Sequence, residues 1–204
     1  MLKPMTASLF ALTLFSNGVL AGDDIEKRVA ASKAASKAMV TELGGVLKKQ
    51  IKENGPADAI KVCQEVAPSI TNRISNANGW KMTRVSLRYR NSLLGMPDEW
   101  EKAVLKKFDE RKAAGEDVMK MAYSEVVSDA SGERYFRFMK ALPTKEVCQT
   151  CHGTKDKIPP AVLEKINALY PMDQATGFNK GDVRGAISIK QPLNIPLVGD
   201  GVGW

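Results

Sequence analysis

Tyr135-Phe136-Arg137-Phe138-Met139 lies inside the run Glu133–Leu142, which reads as a β-strand. A second strand-like run, Val118–Val127, precedes it, and Ser128-Asp129-Ala130-Ser131-Gly132 separates the two with turn-forming residues. Together they predict a hairpin. Upstream, Thr83-Arg84-Val85-Ser86-Leu87-Arg88-Tyr89-Arg90 alternates with a period of two, which predicts a strand over 83–90. Its polar face is Arg84, Ser86, Arg88 and Arg90. Gly185–Lys190 reads as a last short strand. These strands argue against an all-helical four-helix bundle.

Helical patterns surround them. Asp23 or Asp24 caps a long helix, about 23–54, whose apolar positions include Ile25, Val29, Met39, Leu43, Val46, Leu47 and Ile51. Asn54-Gly55-Pro56 stops it, and Pro56 is well placed to start the next helix. Pro68 is expected to kink or end that second helix. Pro97-Asp98 opens a third, with Trp100, Val104 and Phe108 inside and an end near Gly115. Pro159-Pro160 starts a short one running to Tyr170. The fold class is therefore α+β: mostly antiparallel strands flanked by helices, with a long N-terminal helix.

The first 21 residues read as a secretory signal. Lys3 is its positive region, Ala7–Phe15 is an apolar core too short to span a bilayer, and Val19-Leu20-Ala21 offers the small residue a signal peptidase needs. The expected mature chain, 22–204, is one domain with no transmembrane segment. The whole chain has 204 residues, a formal charge of +7, and 44% hydrophobic and 26% charged residues. That is an ordinary globular composition and excludes intrinsic disorder. Removing the signal takes away one lysine and leaves +6. Export to the periplasm makes a nucleic-acid partner an unsuitable reading of that charge.

Cys148-Gln149-Thr150-Cys151-His152 is C-x-x-C-H, the attachment motif of c-type haem. Two thiols at this spacing form thioethers to the vinyl groups of one porphyrin, and the following imidazole binds the iron. Gly153 follows, where a missing side chain lets the backbone turn closely. His152 is the only histidine in the chain, which excludes two-histidine zinc sites and ligation of one haem by two histidines of this chain. One covalent haem c is thus the expected cofactor, with His152 on its iron.

The third cysteine needs its own explanation, because oxidising compartments pair or attack free thiols. Cys63 lies on the apolar stripe Ala59, Val62, Cys63, Val66 and Ile70. It is either a small buried hydrophobe or a second, thiolate ligand to the iron. Met172, the one methionine after the motif, is the competing ligand. Arginines of the 84–90 face are candidates for pairing with haem propionates.

Several segments together resemble a family of single-haem c-type domains with a PAS-like fold, found as lone periplasmic proteins and as extracytoplasmic input domains of bacterial histidine kinases. They are Cys63-Gln64-Glu65-Val66-Ala67-Pro68, Arg84–Asn91, Cys148–Gly153 and Gly181-Asp182-Val183-Arg184-Gly185-Ala186. The resemblance covers most of 57–193. It implies a PAS-like core there, with Cys63 as the distal ligand opposite His152.

A His/thiolate haem implies a low potential, since thiolate donation favours ferric iron. Weakening of the iron–Cys63 bond on reduction would open a place for carbon monoxide or nitric oxide. Three functional classes are consistent with the sequence. One is electron transfer with a periplasmic partner, for which Lys145, Lys155 and Lys157 near the motif offer an acidic-partner surface, although a plainly solvated face reads the same. Another is redox or gas sensing reported to a membrane signalling protein. The last is a haem enzyme acting on sulfur compounds or peroxide, disfavoured because no second histidine is present.

Overall fold

The structure, a computed structural model, describes residues 22–197; the expected signal segment 1–21 and the C-terminal Val202-Gly203-Trp204 lie outside them. Helix α1 spans Gly22–Lys61 and is broken where the sequence predicts, at Gly55, whose φ of 81° is left-handed. Pro56 then restarts the helix with the fixed φ that suits a first turn. The expected interruption at Pro68 takes a different form. The chain widens into a π-helical turn, Val62–Val66, in which the Ala67 N–H donates to Val62 O, and runs on into α2, Ala67–Asn78. Pro68 has no N–H to give an α-helical bond, and its place in the first turn of α2 removes the conflict. Gly79, left-handed with φ 67°, ends α2.

Strand β1, Lys81–Val85, follows, then α3, Ser92–Gly95, and α4, Glu99–Ala113. Asp98 caps α4 through a reciprocal capping box with Glu101. Strands β2, Ala122–Ser128, and β3, Arg134–Pro143, form the predicted hairpin. A short turn α5, Gln149–His152, then α6, Pro160–Leu169, and β4, Val183–Pro192, complete the described chain. The four strands pair antiparallel in the order β1-β4-β3-β2.

The sheet is covered on both faces. Met82, Phe136, Phe138, Ile187 and Ile189 meet Met39, Ile70, Ile74 and Trp80, so α1 and α2 pack on one side. Val85, Met139, Ala141 and Ala186 meet Val104, Leu105 and Phe108 of α4 on the other. The parity along β3, even residues to one side and odd to the other, is the ordinary alternation of a pleated strand. Polar contacts anchor both layers. Arg28 of α1, 2% exposed, donates to Asp24, to Gln191 Oε1 and to Ile195 O at 3.0, 3.1 and 3.1 Å. Arg137 of β3 pairs with Asp98 and Glu101 at the start of α4, at 2.9 and 3.1 Å. Among the described residues no helix is long and apolar enough to cross a membrane.

Two strand expectations are corrected. Val118–Lys120 is a 3₁₀ turn, so β2 begins only at Ala122; Asp117 accepts the Met119 N–H and curls the chain there. The strand expected over 83–90 ends at Val85. Opposite that point Gly185 has φ 151°, and a Cβ on it would lie 2.3 Å from Val85 O. Past this close approach the chain leaves the ladder. Ser86 N–H donates to Gly95 O, and Ser86 Oγ donates to Arg184 O. The alternating arginines beyond Val85 therefore do not share one sheet face.

Gly185→Ala is expected to destabilise the protein by about 3 kcal/mol, because it meets both a backbone clash and a φ that side chains avoid. Urea unfolding measures this, and a loss under about 1 kcal/mol contradicts the close approach.

Candidate functional site

A cleft opens between the π turn, α2, β1 and the first residues of β4. Its lining includes Cys63, Arg84, Arg90, His152, Tyr170 and Arg184, and among the described residues no carboxylate lines it. The sequence thus scatters over more than 100 positions the residues that the fold brings to one surface.

The geometry of His152 follows from α5. The 3₁₀ turn Glu146–Cys148 leads into Gln149–His152, so the helical spacing of C-x-x-C-H puts Cys148 and Cys151 on one side of a single turn. Both thiols are half-buried, and Cys151 packs beside Ile60, Ile158 and Val162. Burial pushes the Cys151 thiol up to about 11, and the neighbouring Cys63 and Cys148 add to the rise. Gly153 ends the turn. A Cβ there would lie 2.6 Å from Gln149 O, so the glycine is required by its own helical turn. That is a different reason from the close approach to porphyrin expected of it.

The His152 ring is half-buried, with Nδ1 2.7 Å from Ala175 O. The carbonyl can only accept, so this contact places the proton on Nδ1 and leaves the Nε2 lone pair free. Burial, with Arg184 and Arg90 nearby, holds the imidazole well below its usual pKa and therefore neutral. A neutral ring with one free nitrogen is the form that binds a metal. Two backbone bonds clamp the loop 173–178 to the motif turn, and Arg90 adds a third bond to that turn from outside the loop. Phe178 N–H donates to His152 O at 2.9 Å, Gly177 N–H donates to Gly153 O at 2.6 Å, and Arg90 Nη2 donates to Cys151 O at 2.6 Å. The Phe178 ring stands edge-on to His152 with centroids 6.4 Å apart.

Cys63 reaches the cleft from the π turn, a local widening that is common at functional positions. It is half-buried and not in a disulfide. Met172, the competing ligand, is 65% exposed and is not among the lining residues.

The three arginines of the 84–90 face take three different places. Arg84 lines the cleft, and burial lowers its pKa while the nearby Cys63 and Tyr170 raise it. Arg90 is buried against Asp173, with Nε 3.0 Å from Oδ1. Arg88 lies outside the cleft. It donates to Thr176 O and Gly177 O and stacks its guanidinium 3.6 Å from the centre of the Phe178 ring. Sequence reasoning missed Arg184 as a site residue, although it lies in one of the segments that carried the family resemblance. It lines the cleft, and burial together with Arg90 and Arg84 pushes its pKa down to about 10. Arg184 Nε and Arg90 Nη1 are both buried without a hydrogen-bond partner. Two orphaned cationic donors in a cleft without carboxylates fit an anionic ligand.

A family model described as Tll0287-like matches residues 22–192. The chain belongs to the Tll0287-like family. The match spans all four segments on which the resemblance rested. The crystal structure of the cyanobacterial heme-protein Tll0287 is similar, with a TM-score of 0.59 and 24% identity, covering 85% of this chain and 97% of that one. That likeness carries the fold, an α+β architecture with a four-stranded antiparallel sheet led by a long helix. No curated protein matches the chain. Within this Tll0287-like fold, Cys63, Arg84, Arg90 and His152 share the cleft, Cys148 and Cys151 stand on the turn that presents His152, and Arg88 belongs to a different surface.

The raised pKa of Cys151 has a direct consequence in the haem-free chain. At pH 8.5 a thiol titrating near 11 is almost all protonated, so its thiolate is scarce. Cys151 is expected to react with iodoacetamide about ten-fold or more slowly than a free cysteine. Mass spectrometry of the alkylated peptides reads the rate, and parity with a free cysteine contradicts the burial.

Proposed function

We propose that the chain is an exported c-type haem protein that carries one covalent haem between His152 and Cys63 and works as a low-potential, one-electron redox protein. The observation that carries this reading is that a single cleft presents both an imidazole with a free Nε2 and a thiol. The description of the similar solved protein as a heme-protein supports the cofactor.

Bound there, haem c supplies a one-electron iron(III)/iron(II) couple. Cys148 and Cys151 are the thioether residues, three positions apart on one turn. His152 is held neutral and oriented by Ala175 O, so it offers Nε2 without first losing a proton. Cys63 would supply a thiolate to the iron, a charge that would favour the ferric state and a low potential. Arg84 and Arg184, which line the cleft, would pair with the propionates. The three lining arginines set against the carboxylate of Asp173 leave two positive charges in excess, which equals the charge of two propionates. Arg88 has no part in this, since its guanidinium is engaged outside the cleft.

With both His152 and Cys63 on the iron, no position would be left open for substrate, which favours electron transfer over catalysis. Signal-directed export by residues 1–21 places the protein in the periplasm. The exposed Lys145, Lys155 and Lys157 beside the motif, interleaved with the exposed Glu146 and Asp156, offer cations to an acidic redox partner.

Produced with the c-type maturation machinery, the chain is expected to keep its haem through acid–organic extraction and to show a low-spin ferric absorption spectrum with thiolate features. Cys63→Ala is expected to remove those features, and Cys63→Met to raise the reduction potential by about 0.2 V. A spectrum unchanged in Cys63→Ala overturns the ligand assignment, and extractable haem overturns the covalent one.

A further inference from the structure

We infer that the buried Arg90–Asp173 ion pair is a positioning device for His152: it fixes the carbonyl that holds the imidazole, rather than serving only as a cation for the cofactor. The inference rests on the reading of His152 as the iron ligand and concerns how this chain aims it.

The partners are explicit. Asp173 Oδ1 accepts the Ala175 N–H at 2.9 Å and the Arg90 Nε–H at 3.0 Å. Arg90 Nη2 then reaches three acceptors: Cys151 O at 2.6 Å, Asp173 Oδ2 at 3.3 Å and Ala175 O at 3.3 Å. Ala175 O is the acceptor 2.7 Å from His152 Nδ1. One guanidinium therefore ties the backbone before His152 to the carbonyl that orients its ring, and one carboxylate fixes the same residue from its N–H side. Both charged side chains are 8% exposed, so the pair is shielded from water and from salt.

Two sequence facts make this economical. Asp173 lies two residues before Ala175, the spacing at which an aspartate turns back onto its own chain. Arg90 comes from the segment after β1, 83 residues away, so the loop is braced against a separate part of the fold. Gln174 N–H donates to Tyr89 O at 3.0 Å and closes the same seam beside it. Of the Arg90 nitrogens only Nη1 is without a partner, whereas Arg84 makes no side-chain hydrogen bond among the described residues. Arg90 is mostly spent on the protein.

The test uses nuclear magnetic resonance and amide hydrogen exchange on the haem-loaded chain, comparing the parent with Arg90→Lys and Asp173→Asn. Each variant keeps the size of the side chain; the first keeps its charge. In the parent, the ring proton of His152 is expected on Nδ1 and slow to exchange. In both variants it is expected to exchange too fast to follow. The Gly177 and Phe178 amides are expected to exchange about ten-fold faster or more, with β3 amides unchanged as proof of folding. If Arg90 were only a counter-ion to the cofactor, Asp173→Asn would leave the His152 ring proton and both amides as they are, and the inference fails. A parent ring protonated on Nε2 overturns it whether or not either variant folds. A parent chain that takes up no haem defeats the function proposed above instead, and the same ring-proton measurement on the haem-free chain still decides this inference.

Discussion

The loop 173–178 lies over the C-x-x-C-H turn because backbone groups bond across the seam: Phe178 to His152, Gly177 to Gly153, and the Ala175 carbonyl to the His152 ring. Most other features of the site depend on that closure. Without it the imidazole would have neither a fixed tautomer nor a fixed direction. The motif alone supplies residue types at the right spacing; the clamp turns them into a ligand with one nitrogen available. The clamp in turn needs an origin for its geometry, and the sheet provides it. Gly185 lets β4 pass close under Val85, which ends β1 and sends the chain toward Tyr89 and Arg90, where the 173–178 loop is met.

Electrostatics and burial act together here. A cluster of three arginines beside a half-buried histidine is costly unless charge is balanced, and one carboxylate, Asp173, does not balance it. Burial is the main reason that His152 is neutral and that the Arg184 pKa is depressed, and the neighbouring arginines push both in the same direction. An anionic ligand in the cleft would relieve it, which is why the orphaned donors of Arg90 and Arg184 bear on the cofactor.

Local chemistry made much of the fold legible. Gly55-Pro56 marks the break in α1, Asp98 caps α4, and Gly132 with φ 84° closes the hairpin, each through preferences that operate within a few residues. The family emerged from short segments for the same reason. What the sequence hid was non-local. Period-two alternation runs on to Arg90, yet pairing stops at Val85 because a glycine 100 residues later comes too close. Asp173 gave no signal, since its partner is 83 positions away. Arg184 sits just before the stretch that reads as the last strand, and β4 begins two residues earlier than that reading, at Val183, so that Arg184 is part of the strand and lines the cleft. Pro68 reads as a kink or an end of the helix, and the chain meets it with a π turn that carries Cys63 into the cleft wall.

The proposed haem site requires His152 and Cys63 to bind the same iron. X-ray absorption at the iron edge of the ferric, haem-loaded protein tests it most directly. The expected first shell is nitrogens plus one sulfur, with the sulfur lost in Cys63→Ser and kept in Met172→Leu. A shell without sulfur in the parent, or a sulfur that survives Cys63→Ser, would contradict it.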